Sequence, residues 1–402
     1  MGHFISLLGL IVFIGFAYLI SYERLAIRWS TVTWGFGLQF ILAFFILKTS
    51  IGLAIFEWLG NLVKTFLDYS DVGAKFVFGD SFEEHFLAFK VLPTIIFFAS
   101  FIAILYHYKI LPHVVTFISR IMMRTMKTSG PETLSCASNI FVGCTEAPLI
   151  IKPYIESLTL SELHTIMTGG FATIAGGVMA AYIAMGISPI HLISASVMSA
   201  PAALAISKIM YPETDKSECK TKVNLHIESP YVNAIDAATN GALEGLKLAL
   251  NIGAMLIAIL ALVALVNGIL GAIGQLLGLS NLSLELIFSY VLAPVAWLMG
   301  VPWEDCLQVG ILLGKKTILN EFIAYLDLKT LIDNQTISPR SQIIATYALC
   351  GFSNLGTIGI QIGGMSAIAP NRQQDLAKLG LRTMIAGSLA CFMTACIAGF
   401  LL

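Results

Sequence analysis

The sequence predicts an all-α polytopic membrane protein with about eight transmembrane helices, two opposed re-entrant hairpins in an inverted repeat, and interfacial helices. Three observations predict it. Hydrophobic residues fill 57% of the 402 positions, charged residues only 12%, and mean hydropathy is +0.84. A soluble chain carries about 25% charged residues, so these charges are too few to cover a water-facing surface and lipid must be the main solvent. Second, apolar runs of spanning length recur from end to end. Third, two further apolar segments are interrupted by Gly, Pro and charge, and they resemble each other.

A span needs about 20 apolar residues, and a segment that enters and turns back needs fewer. Long apolar runs fall near 4–20, 33–57, 92–108, 163–186, 190–210, 249–275, 282–300, 343–365 and 383–402. The first has no basic region ahead of it and no small-residue cleavage site after it, so it reads as a retained span rather than a signal peptide. Arg24 and Arg28 follow the first run, Asp68, Asp71, Asp80, Glu83 and Glu84 follow the second, and Lys109, Arg120, Arg124 and Lys127 follow the third. Basic connections stay on the cytoplasmic side. This places the N-terminus outside, the first turn inside, the acidic loop outside and the basic loop inside. Lys216, Lys220 and Lys222, and later Arg372, Lys378 and Arg382, fall inside as well. Run 282–300 contains Pro294 and is flanked by Trp297 and Trp303. If it spanned, Arg372 would fall outside, so it is laid along the outer surface. That leaves eight spans and both termini outside. Asn233, Asp236, Asn240 and Glu244 recur at helical spacing, which predicts an interfacial helix over 230–247.

The two interrupted segments, near 133–156 and 306–327, are the hairpin candidates. The first contains Gly143-Cys-Thr-Glu146-Ala-Pro-Leu-Ile-Ile-Lys-Pro-Tyr154, the second Gly314-Lys-Lys-Thr-Ile-Leu-Asn320-Glu321-Phe-Ile-Ala-Tyr325. Each is followed by a span with a Gly-Phe pair, at Gly170-Phe171 and Gly351-Phe352. Glu321 lies 175 residues after Glu146, and Gly351 lies 181 after Gly170. The predicted topology enters one segment from inside and the other from outside. Paired broken helices of this kind meet near the bilayer midplane and bind substrate there. The chain then divides into scaffold spans and interfacial helices (1–130), a first repeat (131–210), interfacial helices with a long scaffold span (211–300), and a second repeat (301–402), the two repeats forming a transport domain.

Glu146 and Glu321 carry most of the chemistry. A carboxylate at the bilayer centre costs about 2.5–3.5 kcal/mol, so it is kept where it faces a polar cavity or a partner. The competing role for each is to cap a hairpin tip or to pair with Lys152, Lys315 or Lys316. Thr145, Asn320, Asn354 and Thr357 supply uncharged donors and acceptors nearby. Carboxylates and amides suit the hydroxyls of a sugar, and an aromatic face such as Phe352 suits a heteroaromatic ring. Asn139 and Val142 of the first hairpin, with Thr173 and Ile174 of the following span, offer oxygens to a small alkali cation where broken helices free their carbonyls.

These strings, with Cys350-Gly-Phe-Ser-Asn354 and Ala369-Pro-Asn-Arg372, resemble the concentrative nucleoside transporter family of bacterial type over essentially the full chain. The resemblance implies a homotrimer in which each protomer carries its own site, moved by a mobile transport domain against a trimeric scaffold. By position, Thr145, Glu146 and Val178 match the nucleobase side. Glu321, Asn354 and Thr357 match the ribose side, with Phe352 beside the ligand. Asn139, Val142, Thr173 and Ile174 match the family's sodium position. Two positions depart from the pattern. Cys144 stands where the family usually has glutamine and leaves base preference open. Thr173 stands where bacterial relatives commonly have serine and keeps the hydroxyl.

The function expected is a cation-coupled nucleoside symporter working by alternating access, with Na+ as coupling ion and no other cofactor. Coupling to H+ through Glu146 or Glu321 is the alternative, since burial favours a protonated carboxylate. A symporter for another polar solute is the second alternative, although an anionic cargo favours intramembrane Arg or Lys and here glutamates dominate. A membrane-embedded enzyme is disfavoured, because the chain has no HExxH, GxSxG or GxxxxGK[ST] string. A net charge of −1 argues against nucleic acid as a partner. The seven cysteines are scattered without a CxxC pair and predict neither disulfides nor zinc. Histidines such as His107, His113, His164 and His191 read as interfacial residues at span ends. The short N-terminus suits a bacterial inner membrane, with the chain multi-pass in the lipid bilayer.

Overall fold

The computed structural model describes residues 2–215, 231–278 and 282–402. Lys216, Lys220, Lys222 and Cys219 therefore lie outside the described residues, which contain helices and no strand. α1 (Gly2–Leu19) and α2 (Trp29–Lys48) are apolar and long enough to span. α2 stops at Thr49, whose hydroxyl accepts from the Gly52 N–H (3.0 Å) and caps α3 (Ser50–Asp68). The expected span 33–57 is thus two helices, because the Thr49 cap ends one and starts the next at the polar Lys48-Thr49-Ser50 step. α4 (Ser70–Phe78) continues α3, and α5 (Leu92–His107) follows. α6 (Ile110–Met126) lies between Lys109 and Lys127, both in the left-handed region (φ 60° and 55°). Charge patterning alone gives only a basic connection here. The buried positions Leu111, Val115, Ser119, Met122 and Met126 show an amphipathic helix instead.

The first hairpin runs from α7 (Gly130–Ser138), opened by a Ser129–Glu132 capping box, through a non-helical tip to α8 (Ala147–Ile150). α9 (Leu160–Ala172), opened by a Thr159–Glu162 box, breaks at 173–175 and resumes as α10 (Gly176–Ala184). α11 (Pro189–Met210) closes this half. α12 (Ala234–Leu276) is one helix of 43 residues, capped by Asn233. At 1.5 Å per residue it is roughly 65 Å long, about twice the hydrocarbon thickness. The separate interfacial helix expected over 230–247 therefore does not exist: no cap or breaker interrupts the chain before 249. α13 (Leu284–Leu298) has 15 residues, too few to span untilted. α14 (Cys306–Ile318) and α15 (Glu321–Asp333) make the second hairpin, turned at Asn320, whose side chain accepts from the Ile323 N–H (3.0 Å). α16 (Pro339–Leu349) breaks at 350–354 and resumes as α17 (Leu355–Ile368), so the run 343–365 is also two helices. α18 (Gln373–Leu401) ends the chain. Hairpin, broken helix and long helix occur in that order twice.

Among the described residues, eight helices are long and apolar enough to cross a membrane, although Ser50–Phe78 is among them and the broken 339–368 pair is not. α5 packs chiefly on α12, whereas α1 packs on α18 and α2 on α11. α1 and α2 thus each pack on a long helix of a repeat. Gly241 and Gly245 form the α12 seam with α5, where a Cβ on Gly245 would lie 2.7 Å from Ile96 Cα. Small residues at this spacing let membrane helices approach closely. Gly245→Val separates α5 from α12 and lowers the melting temperature in detergent by several degrees, an overpacking cost of about 1–3 kcal/mol. An unchanged melting curve contradicts this.

Arg372 and Arg382 lie at one end of the bundle and the chain termini at the other. At one end the Tyr22 N–H donates to Met210 O (2.8 Å), the Arg382 guanidinium lies 5.9 Å from the Tyr22 and Tyr211 rings, and Arg372 donates to Leu158 O (2.7 Å). At the other, Ser6 donates to Met299 O (2.9 Å) and Arg340 to Gly300 O (2.9 Å). His164 departs from the interfacial reading: it is fully buried in α9, against the Ser207 hydroxyl (2.7 Å) and the Tyr211 ring.

Asp305 anchors the foot of the second hairpin. It accepts from the Ser341 hydroxyl (2.6 Å), the Ser338 hydroxyl (2.8 Å) and the Ser338 N–H (3.0 Å). Burial pushes its carboxyl up, but these donors outweigh burial and hold it below the usual carboxylate range. A lowered carboxylate stabilises the fold above its unfolded-state value, about pH 3.9, and that contribution fades as pH falls through the folded value. Melting measured from pH 6 to 3 therefore drops more steeply for the native chain than for Asp305→Asn. Parallel curves contradict the anchor.

Candidate functional site

The two helix breaks meet inside the bundle. The Phe352 N–H, in the second break, donates to Thr173 O in the first (3.2 Å). A Cβ on Gly351 would lie 2.7 Å from Phe171 O, so glycine is what permits the approach. The first hairpin's tip is tied to the same place, because the Gly176 N–H donates to Phe141 O (3.1 Å).

A partly open cavity, about 770 Å³ with the solvent at its mouth included, lies where tips and breaks converge. Its lining includes Cys144, Thr145 and Glu146 from the first tip and Val178 from α10. The second hairpin gives Asn320 and Glu321, and the second break with α17 gives Phe352, Asn354 and Thr357. All nine candidate substrate residues thus border one space. Sequence reasoning missed the apolar wall of Leu248, Ile252 and Met255 from α12, together with Phe322 and Ile360. The signal for the wall was their spacing of four and three residues on one helix face.

The polar groups form two sets. Glu321, 4% exposed, accepts from the Tyr182 hydroxyl on Oε1 (3.0 Å) and from Asn354 Nδ2 on Oε2 (3.1 Å). Asn354 Oδ1 accepts from the Thr357 N–H (2.9 Å) and hydroxyl (3.0 Å), capping α17. This chain orients a carboxylate whose remaining lone pairs are free for a ligand's donors. Tyr182 is a partner the sequence reading did not name. Across the cavity Glu146 is exposed to the space. A Cβ on Gly143 would come within 2.2 Å of Glu146 Oε2, so a larger residue there moves that carboxylate.

Beside the cavity, Asn139 ends α7 at 1% exposure, and neither its Oδ1 nor its Nδ2 has a partner. It abuts Gly169, where a Cβ would lie 3.4 Å from Nδ2. The Thr173 hydroxyl donates to Gly169 O (2.8 Å), which leaves its lone pairs to accept elsewhere. Ile174 is buried at the same break, and Val142 follows the Phe141 contact. A buried amide without partners is costly, and an oxygen set free of thiol and imidazole suits a hard cation.

Repeated hairpins and broken helices converging on a polar cavity within a bundle of apolar helices define a membrane transporter rather than a soluble or catalytic module. The comparisons agree. "Na+ dependent nucleoside transporter N-terminus" matches residues 8–81, "Nucleoside recognition" matches 88–189, and "Na+ dependent nucleoside transporter C-terminus" matches 191–399. The chain belongs to the Na+-dependent nucleoside transporter family. It is similar to CNTnw in an inward-facing substrate-bound state, with TM-score 0.95, 38% identity and coverage of 100% of this chain and 98% of that one. Solute carrier family 28 member 3 of Eptatretus stoutii is 47% identical over 99% of this chain and 60% of its own length. Sodium/nucleoside cotransporter 1 of Homo sapiens is 43% identical over 99% of this chain and 63% of its own length. The chain spans about three fifths of the length of the curated relatives it matches.

Proposed function

We propose that this protein is a sodium-coupled nucleoside symporter that imports nucleosides by alternating access. The observation that carries the reading is the convergence of nine chemically apt residues, from two hairpins and two helix breaks, on one cavity. Glu321, Asn354, Thr357 and Asn320 bind ribose hydroxyls, Thr145, Glu146 and Cys144 face the base, and Phe352 and Val178 give it flat apolar contact. Sodium sits among Asn139, Val142, Thr173 and Ile174, where the unpartnered Asn139 amide supports a missing ligand. Both hairpins are re-entrant and move with α9–α11 and α16–α18 against α5 and α12. The chain works as a homotrimer in a cell inner membrane, with each protomer carrying a site. The placement of Arg372 and Arg382 at the end of the bundle away from the termini supports the orientation with both termini outside.

The test is uptake of radiolabelled uridine and adenosine into proteoliposomes holding the purified protein. An inward sodium gradient at fixed pH is compared with a proton gradient without sodium. Accumulation under sodium supports the proposal. Accumulation under protons alone moves the coupling to a carboxylate, and no accumulation under either gradient rejects the nucleoside reading.

A further inference from the structure

Lys316 is buried at 1% exposure in α14, close to the second hairpin's turn. Burying an ammonium costs several kcal/mol unless it is well compensated. Two other lysines of the bundle meet carboxylates: Lys208 reaches Glu132 at 2.7 Å and Lys315 reaches Asp327 at 2.6 Å. Lys316 instead donates to a backbone oxygen, Ala348 O, at 2.8 Å. Ala348 lies in the last turn of α16, where carbonyls lack helical donors and the helix dipole is negative. The neighbouring carbonyls are served otherwise: Thr346 O by the Tyr325 hydroxyl (2.7 Å), Tyr347 O by the Cys350 N–H (3.3 Å) and Leu349 O by the Gly351 N–H (2.8 Å). The ammonium thus completes the end of the broken helix, from the hairpin arm that leads to Glu321. The first half is built differently. Its helix break at Thr173, Ile174 and Ala175 carries no charged side chain, its hairpin tip carries the carboxylate of Glu146, and the Asn139 amide is left without partners.

We propose that Lys316 is a positioning residue whose ammonium supplies to the second hairpin and the α16 break the positive charge that a bound cation supplies to the first. The charge is covalently tethered, so this half needs no exchangeable ion. It holds the last turn of α16 and sets the field at Glu321. This inference rests on the functional reading above.

The experiment compares Lys316→Met, Lys316→Arg and Lys316→Ala in sodium-driven uridine uptake and in thermal melting, the Ala variant with and without ethylammonium or ethanol. Lys316→Met loses uptake about tenfold or more, as expected when a charged hydrogen bond is lost. Lys316→Arg retains more uptake than Lys316→Met. Ethylammonium restores part of the uptake of Lys316→Ala and raises its melting temperature, and ethanol does neither. Equal rescue by ethanol, no rescue by ethylammonium, or native uptake by Lys316→Met overturns the proposal. Melting reads the charge without transport, so a native protein that takes up no nucleoside counts against the functional reading alone.

Discussion

Replacing Glu321 with glutamine reduces sodium-driven nucleoside uptake to about one hundredth of the native rate or less, while the protein still inserts and purifies as a single species. The carboxylate is acceptor-only, and both its oxygens already receive donors, from Tyr182 and Asn354. A glutamine presents an NH2 group to one of them, so either the Tyr182 hydroxyl must turn to accept or the Asn354 amide must turn over. Turning the Asn354 amide to relieve this takes its oxygen from Thr357, which loses two hydrogen bonds at the α17 cap. A hydrogen bond to a charged group contributes about 1.5–3 kcal/mol. Losing one within the site and one to a ribose hydroxyl amounts to about 3 kcal/mol or more, roughly a hundredfold. Uptake by Glu321→Gln within tenfold of native, measured at equal protein density, removes Glu321 from the binding site.

Asn139→Ala separates function from stability. The Asn139 side chain is buried and neither polar atom has a partner. In the absence of sodium its removal is neutral or stabilising, because an unsatisfied buried polar group costs about 1–3 kcal/mol. In the presence of sodium the variant loses a ligand, so the sodium concentration for half-maximal uptake rises about tenfold or more. The native protein's melting temperature rises with added sodium by mass action, and that of Asn139→Ala does not. A variant that melts lower without sodium, yet keeps the native sodium dependence, shows that Asn139 is a packing residue.

The legible part of this protein was the part where polarity is conspicuous. A glutamate, asparagine or threonine inside an apolar run announces a cavity or a partner, and Glu146, Asn320, Glu321, Asn354 and Thr357 all border one space. The illegible part was apolar. Leu248, Ile252 and Met255 look like every other residue of a lipid-facing helix, and only the packing of α12 shows which face lines the cavity. Breaks were hidden where the interrupting residues are also common in spans. Thr49 reads as one more small residue until its hydroxyl is seen capping α3, and the α16–α17 break lies inside a run long enough to read as one span. The polar stripe from Asn233 to Glu244 was visible, but nothing in it tells that the same helix continues to Leu276. Tyr182 escaped because a tyrosine in a span reads as packing, whereas its hydroxyl orients Glu321.

The most direct measurement is calorimetric binding of uridine and adenosine to the purified protein over a range of sodium concentrations, with choline keeping ionic strength constant. Coupled sites must strengthen each other reciprocally. The prediction is that at least one nucleoside binds, that its affinity rises with sodium, and that Glu321→Gln abolishes the binding. Nucleoside binding that is indifferent to sodium contradicts the coupling, and binding that survives Glu321→Gln unchanged contradicts the site.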